Sequence, residues 1–187
     1  SAHQIHRSLG ITYKSAWFMA HRIRESMRSG SLAPMGGAGR VVEIDETYTG
    51  VKEGMQNIPE KRGGRHRIAV LTLVERGGSA RSFHVDQTDM ATLTPIIRAN
   101  IDRETKLATD EARAYLSLGT GFADHQSVSH IDEEWARGWV HTNTVEGYYS
   151  IFKRGMKGVY QHCSEKHLHR YLSECKRCAA PTFRAVI

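Results

Sequence analysis

The segment RVVEIDETYTG, residues 40–50, decides the fold. Val42, Ile44 and Glu46 alternate with Asp45, the period of a β-strand whose successive side chains point to opposite faces. The run EIDE sets an acid, Asp45, in the middle or at the end of that strand, where the apolar alternation would otherwise continue. Downstream, VKEGMQNIPEKRGGRHR (51–67) is a polar and basic excursion, after which IAVLTLVERGG (68–78) resumes as a central strand. SARSFHVD (79–86) reads as a third strand, and Gly77 and Gly78 between the two make them a hairpin. QTDMATLTPIIRANI (87–101) has the spacing of an amphipathic helix capped by Asp86 or Thr88. TKLATDE (105–111) is a short strand ending in acids, ARAYLSLG (112–119) a helical turn or two, and QSVSH (126–130) a last strand. Strands followed by interleaved helices imply an α/β fold, a mixed sheet covered by helices.

The next helix lies within HTNTVEGYYSIFKRGMKG, residues 141–158. Val145, Tyr148, Tyr149, Phe152 and Met156 recur at helical spacing and form its inward face. Glu146, Ser150, Lys153 and Lys157 share a neighbouring stripe, because residues three, four and seven apart lie on one side of a helix. Asn143 and Glu146 have the spacing of a capping box, so the carboxylate has a structural reading beside any chemical one.

Upstream, residues 1–28 read as two helices broken at LGIT, a helix-turn-helix pattern. Gly10 supplies a C-terminal cap, Thr12 an N-cap, and Ala16, Met19, Ala20 and Ile23 an apolar face. Lys14, Arg22 and Arg24 on the second helix are suited to phosphates or base edges. SGSLAPMGGAGR (29–40) is the linker, leaving 41–187 as the main domain. The chain starts at Ser1 inside a helical pattern, as expected of a fragment.

Among 187 residues, Lys and Arg outnumber Asp and Glu by 26 to 20, a net charge of +6 that favours a polyanionic partner. No run of about 18 apolar residues is present and the N-terminus lacks the apolar centre of a signal peptide, so a cytoplasmic protein is expected. Three cysteines, Cys163, Cys175 and Cys178, do not make a disulfide framework. With His167 they could be drawn as a zinc site, but only the final C-x-x-C has ligand spacing, and free thiols are the expectation. His130, His141 and His162 read as surface or packing residues.

Two strand-end aspartates, Asp45 and Asp110, with a helix-borne Glu146 make a hard-oxygen cage suited to two Mg²⁺ or Mn²⁺ ions. On a basic protein such a cage points to phosphodiester chemistry by in-line displacement. Lys153, two helical turns beyond Glu146, would hold a phosphate.

The segments VEIDETYTGVKE, LATDEARAYLSL, HTNTVEGYYSIFKRGMKGVYQHCSEKHLHRYLSE and LGITYKSAWFMAHRIRESM resemble, in order, the bacterial insertion-sequence transposases of the DDE type. The subgroup is the one with an IDETY strand and an HTN-x-x-EG helix, the ISXO2-like transposase domain. The resemblance implies a ribonuclease-H-like core, a divalent-metal centre, and cleavage and strand transfer of double-stranded DNA at the ends of a mobile element. It implies a homo-oligomer on DNA and a nucleoid-associated, cytoplasmic bacterial protein. Its catalytic residues map to Asp45, Asp110 and Glu146, with Lys153 as the associated basic residue; some relatives carry Asn in the third role, which makes Asn143 a second candidate. Lys61, Arg62 and Arg65 in the basic excursion, with Lys153, Arg154 and Lys157, would grip phosphates. Two departures stand out: the resemblance leads one to expect a zinc-ribbon-like head before the helix-turn-helix, which residues 1–28 do not include, and CKRCAAPTFRAVI stands where an aromatic, basic helix is expected. An inactive DNA-binding remnant, or a nuclease of this fold that cuts without joining, are the alternatives.

Overall fold

The computed structural model describes residues 1–28, 33–55, 66–111, 115, 118–129, 134–161 and 163–175. Helices α1 (Ala2–Leu9) and α2 (Tyr13–Ser26) meet at a turn where Gly10 is left-handed, φ 64°, and the Thr12 hydroxyl accepts from Ser15 N–H. The side of α2 that is covered is Ala16, Ala20, His21 and Arg24. Met19 and Ile23, expected inside, are 38% and 44% exposed. The helix is wound as expected but turned, because small residues and an ion-paired arginine approach the core more closely than the larger aliphatics.

Five strands follow: β1 (Val41–Thr49), β2 (Ile68–Glu75), β3 (Ala80–Val85), β4 (Lys106–Asp110) and β5 (Asp124–Val128). They form one sheet in the order β3-β2-β1-β4-β5. β1, β2 and β3 are antiparallel neighbours, whereas β4 runs parallel to β1 and β5 parallel to β4. The β2–β3 hairpin turns at Gly77, φ 67°, a left-handed position that favours glycine. Parallel pairing needs a crossover, and α3 (Met90–Asn100) supplies it between β3 and β4. Its N-cap is Asp89, whose carboxylate accepts from Thr92 N–H at 2.8 Å, and not the expected Asp86 or Thr88.

Both sheet faces are covered. On one, Val42 and Ile44 of β1, Leu71 and Leu73 of β2 and Leu107 of β4 pack with Leu93 and Ile97 of α3 and with Tyr115. On the other, Ile68, Val70 and Val74 meet Val145, Tyr148, Tyr149 and Phe152 of helix α4 (Asn143–Gly155), joined by Leu168 and Leu172 from a helical stretch at 168–175. Each such side chain contributes about 1.5–3 kcal/mol of burial. α4 runs on into a π-helical turn, Met156–Tyr160, which ends at Gln161 with φ 57°. Part of the Gly-rich segment before β1 lies on the core: Met35 is 3% exposed and bridges Ile101, and Gly37 N–H donates to Thr105 Oγ1 at 2.9 Å.

What fastens α4 to the sheet is a buried acid. Glu43 on β1 faces α4 and is 0% exposed. Its Oε2 accepts from the main-chain N–H groups of Thr144 and Val145 at 2.8 and 3.0 Å, and its Oε1 from the Thr144 hydroxyl at 2.7 Å. A carboxylate at a helix N-terminus satisfies orphan donors and complements the positive end of the dipole. Arg76 completes the arrangement: its Nε donates to Glu43 Oε1 at 2.6 Å, and its terminal nitrogens donate to the carbonyls of Trp139 and His141 at 2.7 and 3.0 Å. The expected Asn143–Glu146 capping box is therefore not what starts the helix. Thr142 is the N-cap residue without a side-chain cap bond, and the first-turn donors go to Glu43. Glu43→Ala strands Arg76 and two buried N–H groups, and is expected to cost about 3–5 kcal/mol in urea unfolding, whereas Glu43→Gln, which keeps an acceptor, is expected to cost less.

Candidate active site

β1 and β4 are in register from Val41 opposite Lys106 to Glu43 opposite Ala108. Carried two residues further, that register sets Asp45 beside Asp110, the last residue of β4. Glu46 joins them: one carboxylate oxygen from each of Asp45, Glu46 and Asp110 lies within 4.8 Å of the others. Asp45 Oδ1 accepts from the Glu46 N–H at 2.7 Å. Behind it, the Tyr149 hydroxyl of α4 donates to the Asp45 carbonyl at 2.5 Å and also lies 3.3 Å from the Val70 carbonyl.

This crowding is costly without a cation. The Asp45 carboxyl is pushed up to about 7, chiefly by burial, then by the charge of Asp110 and more weakly by Glu146, against the Glu46 N–H and the Lys153 ammonium. Glu46 is pushed up to about 7 as well, first by burial and then by Asp110 and Asp45, with the Tyr115 hydroxyl opposing. The donors are all carboxylate oxygens, close together and unwilling to be charged at once. Such a set fits a hard divalent ion such as Mg²⁺ or Mn²⁺, whose charge would relieve the repulsion.

Glu146 stands on the exposed side of the first turn of α4, within electrostatic reach of Asp45 but outside the close trio. The Thr142 hydroxyl donates to its Oε1 at 2.8 Å. Asn143 is also exposed on that turn. Lys153 is exposed two turns on, its ammonium 6.0 Å from the Tyr149 ring centroid. It lines a cleft of about 340 Å³ with Arg67, Lys157, Gln161, Tyr48 and Cys163. Arg154 is exposed on the same helix.

On α2, Lys14 and Arg22 are exposed. Arg24, expected among the phosphate contacts, is turned inward: its Nε donates to Glu174 at 2.7 Å and its guanidinium lies 4.5 Å from the Tyr171 ring and 5.1 Å from that of Tyr160. An arginine paired and stacked in this way is committed to holding α2 to the 168–175 helix. Lys61, Arg62 and Arg65 lie outside the described residues, as do His130, His162 and Cys178. Cys163 and Cys175 are free thiols, and His141 Nδ1 lies 3.2 Å from Glu43. Reading the residues alone missed Glu43 and Arg76, and treated Glu46 only as a strand residue and Tyr149 only as a packing residue. The available signal was the acid at every position of E-I-D-E but one, in a strand whose neighbours are apolar on both faces.

A mixed sheet in the order β3-β2-β1-β4-β5, antiparallel on one side of β1 and parallel on the other, with acids in the middle of β1 and at the end of β4, is a ribonuclease-H-like fold; Asp45 is thus a mid-strand and not a strand-end residue. The chain belongs to the family of the ISXO2-like transposase domain, whose pattern matches residues 36–176. It is 28% identical over 170 residues to an "Uncharacterized protein in transposable element ISH50" of Halobacterium salinarum, covering 82% of this chain and 56% of that protein. The chain thus spans about half the length of that relative. A chain in the structure of the simian T-cell lymphotropic virus intasome with PP2A regulatory subunit B56 gamma is similar at TM-score 0.40 and 14% identity, covering 92% of this chain and 67% of that chain. No helix among the described residues is long and apolar enough to cross a membrane.

The acid cluster sets a pH dependence. Asp45 has a folded-state value near 7 against an ordinary 3.8, so folding takes up a proton between these values. Stability of the metal-free protein therefore falls as pH rises from about 4 to about 7. Asp45→Asn removes the penalty and is expected to raise stability in EDTA at pH 8 by about 2 kcal/mol, with little gain at pH 4, as read from melting temperatures.

Proposed function

We propose that this protein is a DNA transposase that cleaves the ends of an insertion sequence and joins the freed 3′ ends to target DNA. The observation that carries this reading is the meeting of Asp45, in the middle of β1, with Asp110, at the end of the neighbouring β4, with Glu146 and Lys153 projected beside them from one helix. Asp45, Asp110 and Glu146 hold the divalent ions, and Glu46, the nearest further acid, supports the same charge. Bound ions of this kind activate an attacking oxygen and stabilise a leaving one in phosphoryl transfer.

The protein's own groups then act by position and charge. β1 and β4 fix the two aspartates in register, and α4 fixes Glu146 relative to both. Lys153 faces the same acids from the cleft side, where its ammonium pairs with a phosphate of the strand being cut. Arg67 and Lys157 continue the positive lining of that cleft, Arg154 extends it along α4, and Lys14 and Arg22 present a second basic surface on the helix-turn-helix. Arg24 is left out of the DNA-contacting set. Assembly of several copies on paired element ends fits a chemistry that must bring two ends together.

The test is strand transfer of a pre-cut labelled oligonucleotide carrying the element end, in Mg²⁺ or Mn²⁺. Asp45→Ala, Asp110→Ala and Glu146→Ala are each expected to lower joining by at least about 100-fold, and Lys153→Ala by about tenfold or more. Asn143→Ala is expected to join like the parent protein; loss of joining there, with Glu146→Ala active, would exchange the two residues' roles. Cleavage without joining would identify a nuclease, and salt-sensitive DNA binding with neither would identify a binding remnant.

A further inference from the structure

We propose that His84, Asp86 and Glu165 form a second metal site, for a divalent transition ion of the zinc type. His84 lies on the edge strand β3 opposite Val70, and so faces the side of the sheet covered by α4 and Leu168. Asp86 follows directly after that strand, and Glu165 opens a short 3₁₀ turn, Glu165–His167, that leads into the 168–175 helix. One donor atom from each of the three residues lies within 4.8 Å of the others.

The imidazole gives the independent observation. His84 Nε2 is 3.0 Å from Glu165 Oε1, yet this nitrogen is buried and has no hydrogen-bond partner. A ring nitrogen has a single direction, in the ring plane, along which it donates or accepts. A carboxylate oxygen close to it but off that direction does not satisfy it. Two ligands on one tetrahedral ion, each about 2.1 Å from it, stand about 3.4 Å apart; the 3.0 Å here is close to that span, and a ring nitrogen so bound is aimed at the ion and not at the oxygen. The third donor, Asp86, is exposed, and Lys52 donates to its main-chain carbonyl at 2.8 Å.

The donor chemistry separates this site from the acid trio. One imidazole with two carboxylates suits Zn²⁺, Mn²⁺ or Fe²⁺, with zinc bound most tightly of the three, whereas Mg²⁺ prefers oxygen alone. Its place implies a bracing role. It ties the end of β3 to the segment between Cys163 and Leu168, both of which line the Lys153 cleft.

The experiment is equilibrium dialysis of the EDTA-stripped full chain against Zn²⁺, with a parallel Co²⁺ titration followed by visible absorption. Expected are one tightly held Zn²⁺ per chain that survives Asp45→Asn, at least about tenfold weaker binding in His84→Ala and in Glu165→Gln, and a Co²⁺ spectrum without thiolate charge-transfer bands. Glu165→Gln keeps the side-chain shape, and circular dichroism of each variant separates lost ligation from lost folding. Equal Zn²⁺ affinity in folded Glu165→Gln, loss that follows Asp45→Asn, thiolate bands that assign the ion to cysteines, or no ion held more tightly than about 100 μM would each overturn the proposal.

Discussion

The ion pair of Glu43 with Arg76, closed over the first turn of α4, is the constraint on which the other features of the core rest. A charged pair in a core is seldom a net stabiliser, because desolvation offsets most of the attraction. What it supplies here is position. An apolar contact would let α4 slide or rotate against β1, as hydrophobic packing is non-directional. Hydrogen bonds from two successive N–H groups to one carboxylate admit a single placement, and Arg76 extends that placement to the carbonyls of Trp139 and His141, just before the helix.

The same strand shows how one period of two can divide labour. Val42 and Ile44 pack toward α3, while Glu43 and Asp45 face the side of α4. Glu43 is neutralised by partners and closed off; Asp45, one pleat along, is left in an electrostatic conflict with Asp110 and Glu146. The fold concentrates acids at one point and compensates them at the other. Consistency among levels is broken where a site has something to bind, which is where local rules are expected to fail.

Much of this was legible in the sequence for identifiable reasons. The strands and the hairpin followed from period-two runs punctuated by glycine, and α4 from a helical stripe of Val145, Tyr148, Tyr149 and Phe152 that the structure buries. Asp45 and Asp110 stood out as charges interrupting apolar strands, Asp110 at the end of β4 and Asp45 in the middle of β1. Glu43 did not, because an acid that ends up at 0% exposure is told from a solvated one only by its partner, and Arg76 lies 33 residues away in sequence. Arg24 failed in the opposite direction: its helix face looked basic and solvated, and only the arrival of Glu174, Tyr160 and Tyr171 from the far end of the chain turns it inward. The cap of α4 was misread because a local pair, Asn143 with Glu146, was in competition with a tertiary acceptor.

Because Glu43 nails the start of α4 and the Tyr149 hydroxyl pins its middle to the Asp45 carbonyl, the helix behaves as a ruler. Seven residues separate Glu146 from Lys153, about 10 Å along the axis, which is close to the rise of three stacked base pairs. A rigid graduation of that length would set how far along a strand a cation falls from the acids. The interval is written into the turns of the helix, so lengthening or shortening α4 by a residue would move the mark and rotate it by about 100° at the same time.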